Sequence, residues 1–168
     1  MTTVRQLGPD DAERFKSLRL LAVETSPTSI WPSRDEEMAK PIEQVRQRIA
    51  GTLTQAVFGA FDGDALIGIT GVRREPLAQV GHKATIWGVF VAPAYRGQGV
   101  ARALLSAASH HAAENWRVVQ LMLCVNAENL AAKRLYESQG FRTFGVEPRA
   151  MRVGERYYDE EHMCKPLI

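Results

Sequence analysis

The chain has little cysteine, no long apolar run and no surplus of either charge, and each shortage argues against a class of protein. Its two cysteines, Cys124 and Cys164, lie far apart and form no C-x-x-C pair with histidines at metal spacing. A disulfide scaffold and a zinc module are therefore not expected; no metal is anticipated, and two free thiols suit a reducing compartment. No uncharged stretch approaches the ~18 residues that cross a bilayer, and the opening MTTVRQLGPDDAERF has no apolar export segment. No membrane association is expected, and the cytoplasm is the expected location. The 21 lysines and arginines against 19 aspartates and glutamates leave a formal charge of +2, scattered as pairs such as Arg73-Arg74 and Lys133-Arg134. Without a basic stripe no nucleic-acid partner is expected, although a small anion remains compatible.

What is present is an ordinary globular composition, 45% apolar and 24% charged over 168 residues, enough for one sizeable core and one domain over 1–168. Val4 to Leu7 reads as a short strand broken by Gly8-Pro9. Asp10 followed by Glu13 makes a capping-box pattern for a helix that places Phe15, Leu18 and Ala22 on one face. The turn-rich TSPTSIWP, Thr25 to Pro32, carries a tryptophan in a loop. A second helix from Ser33 to Ala50 is expected to break at Pro41 and to end at Gly51. The period then changes. Gln55 to Phe61 and Ala65 to Arg74 read as an antiparallel pair joined by Asp62-Gly63, which suits a two-residue hairpin turn. Lys83 to Val91 is a further strand, and Val100, Leu104, Ala107 and His111 recur at helical spacing up to Trp116. Gln120 to Val125 has the short apolar character of a buried strand. Asn129 is placed to cap a helix on which Ala132, Leu135, Tyr136 and Gln139 share a face and which Gly140 closes. Two β-like segments, Arg142 to Val153 and Glu155 to Pro166, complete an order of β-α-α-β-β-β-α-β-α-β-β, which belongs to the α/β (α+β) class.

Arg96-Gly97-Gln98-Gly99 stands where strand hands over to helix. A helix N-terminus exposes about four unpaired N–H groups and roughly half a positive charge, so an anion is held there by donors and dipole together. Gly97 and Gly99 have no Cβ and Ala101 a small side chain, so backbone can reach a phosphate, and Arg96 and Arg102 add formal charge. The stretch lacks the Gly-Lys-Ser/Thr of a nucleotide P-loop and the third glycine and later acidic residue of a dinucleotide fold.

Arg96-x-x-Gly99-x-Ala101, preceded by Val89-Phe90-Val91-x-Pro93 and followed by Asn126-Ala-Glu-Asn129 and Tyr136-Glu-Ser-Gln-Gly140-Phe141, closely resembles the GNAT superfamily of acetyl-CoA-dependent N-acetyltransferases. The match is specific from about Ile86 to Gly145. It implies a mixed, mostly antiparallel sheet of about seven strands, splayed between the fourth and fifth, with about four flanking helices. It also implies acetyl-CoA as cosubstrate in the split. The pantetheine would follow Val89, Phe90 and Val91, and the pyrophosphate would sit on the amides of Gly97, Gln98, Gly99, Val100, Ala101 and Arg102, beside Arg96. Asn129 would touch the pantetheine and Tyr136 would stand near the thioester sulfur. A phenol of pKa about 10 is protonated at neutral pH and can donate to a leaving thiolate of about 8.5, which makes Tyr136 the candidate general acid. On helical spacing alone Tyr136 is equally a packing residue beside Leu135 and Ala132. A Val91 N–H could polarise the thioester carbonyl.

The amine is the harder half. At pH 7 less than about one part in a thousand of a lysine-like amine of pKa about 10.4 is neutral, so some group must take its proton. The fourth strand holds no carboxylate, and Cys124 stands where relatives that acetylate ribosomal-protein N-termini carry a glutamate. Because the family transfers acetyl directly within a ternary complex, Cys124 is expected to be a buried core thiol rather than a nucleophile. His82, Glu75 and Glu24 are the candidate bases, with Asp159 and Glu160 on segments around the same side; His82 has the most suitable ordinary pKa. Trp31 and Tyr157-Tyr158 are candidates to line the acceptor pocket. The expected function is acetyl transfer to a primary amine of a small molecule. The alternatives are a non-catalytic acyl-CoA sensor and an acetyltransferase acting on a protein N-terminus or lysine. A homodimer is a candidate assembly, because relatives are often dimers.

Overall fold

A computed structural model covering residues 1–168 runs β1 (Thr2–Gln6), α1 (Ala12–Thr25), α2 (Arg34–Ala39), α3 (Ile42–Ile49), β2 (Gln55–Asp62), β3 (Ala65–Arg74), β4 (Lys83–Val91), α4 (Val100–Trp116), β5 (Gln120–Asn126), α5 (Leu130–Ser138), β6 (Arg142–Val153) and β7 (Arg156–Pro166). The strands form one sheet in the order β1-β2-β3-β4-β5-β7-β6, and every neighbouring pair is antiparallel except β4 with β5.

Three local details differ from expectation, each for a stated reason. There are five helices rather than about four because the expected break at Pro41 is complete: Pro41, which has no N–H to give, ends α2 and becomes the N-cap residue of α3 at φ −61°. The α1 entrance is not organised by Asp10 and Glu13. Pro9–Asp11 form a short 3-10 turn, and the buried Asp11 carboxylate accepts the Gly8 N–H at 3.0 Å and two 2.8 Å bonds from Arg5. The hairpin loop is Gly63-Asp64 rather than Asp62-Gly63, since Asp62 still pairs with Ala65 and Gly63 takes the left-handed conformation at φ 57°.

Alternation along the strands sorts side chains onto two faces. On one face Ala56, Ile67, Ile86, Leu121 and Leu123 pack against Val100, Leu104, Leu105 and Trp116 of α4. On the other, Val57, Phe61, Ile69 and Phe90 meet Phe15 and Leu18 of α1 and Val45 and Ile49 of α3. Beneath α1 lies an ion pair, Arg19 Nη2 to Glu37 Oε1 at 2.6 Å, with each side chain 3% exposed. Gly71 marks a close approach: an added Cβ would come within 2.0 Å of the Trp87 ring. Gly71→Ala is therefore expected to cost about 1–3 kcal/mol, read from the midpoint of denaturant unfolding.

Two features of β4 position the site. It pairs with β5 only through Lys83↔Gln120, Ala84↔Leu121 and Thr85↔Met122, after which the strands part. Against β3, the pairs Ile69↔Phe90 and Gly71↔Trp87 leave one extra residue on β4, a bulge at which Gly88 takes φ 64°.

Candidate active site

Beyond Thr85 and Met122, the rest of β4 and β5 has no strand partner across the gap, while β4 stays bonded to β3 and β5 to β7. Backbone N–H and C=O groups on such an edge are available to an extended ligand. Val89, Phe90 and Val91 form this edge of β4. At its end Arg96 turns back: its Nε donates to the Val91 carbonyl at 3.0 Å and its guanidinium lies 5.5 Å from the Phe90 ring.

The turn into α4 follows directly. Gly97 and Gly99 take φ 74° and 80°, and a Cβ on either would meet nothing within 4 Å, so the ground above these amides is open. Gly99 is the N-cap of α4 and no side chain caps that end, leaving its first N–H groups to an outside partner. Gln98 donates from Nε2 to the Ala94 carbonyl at 3.3 Å, Val100 is buried in the core, and Arg102 is exposed. Across the gap Asn129 caps α5, its Oδ1 accepting from the Ala132 N–H at 3.2 Å while its Nδ2 donates to Ser29 Oγ at 3.3 Å. Tyr136 sits on α5, buried at 7% exposure and edge-on to Phe141 with ring centres 6.0 Å apart. Burial pushes its phenol up to about 12.

The connection between α1 and α2 crosses to β5 and β7. Asn126 donates from Nδ2 to the Thr28 carbonyl at 2.9 Å, and Trp31 donates from Nε1 to Glu160 Oε1 at 2.7 Å. Cys124 is not in the core. Leu121, Leu123 and Val125 occupy the α4 face, so Met122 and Cys124 point to the opposite face, where Cys124 is exposed. Its Sγ lies 3.3 Å from His162 Nδ1, and His162 Nε2 lies 2.9 Å from Glu147 Oε2. Although the residue is exposed, partial burial of its sulfur pushes the Cys124 thiol up to about 11, with the charges of Glu160 and Glu147 adding to the shift. Such a thiol keeps its hydrogen at neutral pH, which argues against a nucleophile.

The other expected bases are differently placed. His82 and Glu75 lie at the closed end of the split: the His82 carbonyl accepts from the Val119 N–H at 2.8 Å, and the Glu75 N–H donates to the Lys83 carbonyl at 3.2 Å. The β3–β4 connection returns the chain at that end, opposite the glycine turn. Glu24, in the last turn of α1, is in a 3.0 Å pair with Arg34, and the Asp159 carboxylate accepts the Arg149 N–H at 2.9 Å. Tyr157 is 53% exposed, and Tyr158 accepts from Arg156 at 3.3 Å. His162 and Glu147 were invisible in the linear pattern, because only the β5–β7 and β6–β7 registers bring them to Cys124.

A model of the acetyltransferase (GNAT) family matches residues 19–141. The chain belongs to this family. L-2,4-diaminobutyric acid acetyltransferase of Streptomyces anulatus is 29% identical to this GNAT chain over 115 residues, covering 68% of the chain and 64% of that protein. Mycothiol acetyltransferase of Kocuria rhizophila is 40% identical over 62 residues, 37% of the chain and 20% of that protein. The matched region thus spans less than two thirds of either relative. A GNAT acetyltransferase from Streptococcus pneumoniae superposes with a TM-score of 0.89 at 22% identity, over 99% of this chain and 100% of that one. A putative acetyltransferase from Salmonella typhimurium, solved with acetyl-CoA, gives 0.85 at 21% identity over 100% and 95%. The mixed, mostly antiparallel seven-stranded sheet is therefore the GNAT fold, as expected. No helix is long and apolar enough to cross a membrane.

Proposed function

We propose that the chain, as one domain over 1–168, is an acetyl-CoA-dependent N-acetyltransferase that passes acetyl directly to the primary amine of a small molecule within a ternary complex. The observation that carries this reading is the parting of β4 from β5 after Thr85↔Met122, next to a turn whose two left-handed glycines face open space. The unpaired edge suits an extended pantetheine and the free amides suit a diphosphate. Val89, Phe90 and Val91 would hold the arm, the amides from Gly97 to Arg102 the diphosphate, and Asn129 the arm from the other side. Bound acetyl-CoA supplies an activated acetyl thioester. Val91 is the candidate donor to the carbonyl oxygen. With its proton retained to about pH 12, Tyr136 is a hydrogen-bond donor to the sulfur. A thiolate of pKa about 8.5 does not pull that proton off outright, so the phenol acts chiefly by stabilising the charge that develops on sulfur.

Asn126 holds the Thr28 carbonyl and Trp31 holds Glu160, so the α1–α2 connection is pinned to β5 and β7, which supports a small amine over a protein chain. The diaminobutyric acid acetyltransferase named above supports the same class.

Coenzyme A release against a panel of amines and peptides, with mass spectrometry of products, tests the reading. Turnover that needs an amine and adds one acetyl group to it is the expected result. Tight acetyl-CoA binding without turnover on any acceptor would replace the enzyme with a sensor, and acetylated peptides alone would move the acceptor to protein. Gly99→Val is expected to weaken acetyl-CoA at least tenfold in calorimetry. A branched side chain at φ 80° is strained by roughly 1–2 kcal/mol and would stand over the amides.

A further inference from the structure

We propose that Cys124, backed by His162 and Glu147, takes the proton from the acceptor amine. This inference rests on the acetyl-transfer reading above and supplies the base which that reading lacks.

Position comes first. Met122 is the last β5 residue paired with β4, so Cys124 lies in the open half of the split. It points away from the α4 core, to the face on which the α1–α2 connection is pinned through Trp31 and Glu160. In the β5–β7 register its direct partner is His162. The β6–β7 pairing shifts between Thr143 and Gly145, and from there the Glu147 side chain reaches the outer nitrogen of His162 at 2.9 Å.

The donor and acceptor roles then follow. An ionised carboxylate only accepts, so the neutral imidazole carries its hydrogen on Nε2, toward Glu147, and presents a lone pair on Nδ1. That lone pair faces Cys124 Sγ at 3.3 Å, and the thiol, held protonated, donates to it. Both ring nitrogens are engaged, so the imidazole meets the amine only through sulfur, and it is Cys124 that is exposed. The charged groups facing this array are Glu147 from β6 and Glu160 from β7, the latter held by Trp31 of the α1–α2 connection. The alternatives are committed or remote: Glu24 is paired with Arg34, and His82 and Glu75 sit at the closed end.

Between ammonium and amide the nitrogen loses two protons. The first moves to Cys124 Sγ as the thiol hydrogen moves to His162 Nδ1, leaving an imidazolium held by Glu147 that later gives its proton to solvent. The neutral amine then forms its bond to the acetyl carbon as the carbon–sulfur bond of the thioester breaks. The second proton, released as that N–C bond forms, ends on the departing coenzyme A sulfur. Cys124 is the catalytic residue in this scheme; His162 and Glu147 act through it.

The pH dependence of kcat/KM for an amine found in the panel tests the relay. Wild type is expected to reach a plateau below the amine's own pKa, because an enzyme group rather than solvent takes the proton. Cys124→Ala is expected to fall about tenfold to a hundredfold at pH 7 and then to climb about tenfold per pH unit toward the amine's own pKa. Cys124→Ser is expected to restore most of the rate, because a hydroxyl can both give and take a proton. His162→Gln should share the steep profile, and Glu147→Gln, which removes the carboxylate that fixes the Nε2–H tautomer, should lower the plateau rate. Unchanged acetyl-CoA affinity and unfolding midpoint in Cys124→Ala separate this from a structural effect. A wild-type profile in Cys124→Ala overturns the relay and leaves acetyl transfer intact, whereas absence of turnover on every amine overturns both. Nitrogen NMR of the ring gives a readout independent of rate: the Nε2–H tautomer is expected, and an Nδ1–H tautomer overturns the relay.

Discussion

Tyr136→Phe is expected to lower kcat about a hundredfold to a thousandfold while leaving acetyl-CoA affinity and the unfolding midpoint near wild type. The substitution removes one oxygen from a ring that is 7% exposed and keeps its edge-on contact with Phe141 at 6.0 Å. Packing is retained, so stability should move by no more than about 1 kcal/mol. The intact thioester carries no charge on sulfur for the phenol to meet, whereas the transition state does. The loss therefore appears in kcat rather than in ground-state binding. The magnitude is that of deleting one preorganised donor from a dry site, about 10²–10³ in rate. Single-turnover kinetics at saturating acetyl-CoA would measure it, and an unchanged rate would return Tyr136 to the packing role that its helical spacing also allows.

Breaking the buried ion pair is expected to have the largest effect on stability. Glu37 Oε1 is shared by Arg19 at 2.6 Å, Lys40 at 3.0 Å and Arg48 at 3.9 Å, so one carboxylate balances three cations. Glu37→Gln leaves Arg19, 2% exposed, without its counter-charge, at a cost of about 3–5 kcal/mol out of the 5–15 typical of a domain. Urea unfolding at pH 7 would read this directly. A variant carrying both Arg19→Met and Glu37→Met is expected to recover part of the loss, because the fully buried cation is removed with its partner and only the more exposed Lys40 and Arg48 lose their counter-charge.

The same carboxylate predicts a pH effect. Burial acts to raise the Glu37 pKa, but the hydrogen bonds and charges of Arg19 and Lys40 outweigh it and hold the group below its ordinary value. The Asp11 carboxyl is held low chiefly by its hydrogen bond from Arg5. A carboxyl depressed by folding contributes stability that is complete above its unfolded pKa of about 4 and is lost as pH falls through the folded value. Wild-type stability should thus decline as pH drops below about 4, and Glu37→Gln should show a shallower decline.

Local patterns carried the architecture far. The alternation in Gln55 to Arg74, the apolar run Lys83 to Val91 and the asparagine before α5 each place an element, because each signal lies within a few residues of the structure it sets. The glycines at 97 and 99 marked the strand-to-helix turn for the same reason, and their left-handed conformation is the structure's addition. What escaped depends on pairing between distant segments. QLMLCV is apolar nearly throughout, so nothing in it says which side chains face the core, and Cys124 read as buried when it is exposed. His162 and Glu147 acquire meaning only through strand registers set far along the chain, and Arg19 only through a partner on α2. His82 borders β4 at the end where the sheet is still closed, a placement that only the β4–β5 register reveals.

The segment from Ser26 to Trp31 touches both halves of the split. Ser26 Oγ accepts from Arg96 at 3.5 Å at the head of the glycine turn, and Trp31 holds Glu160 across the sheet. Loading the donor would steady this segment before an acceptor arrives, so the two substrates would add in compulsory order, donor first. Product-inhibition patterns would show it, with coenzyme A competing against acetyl-CoA alone.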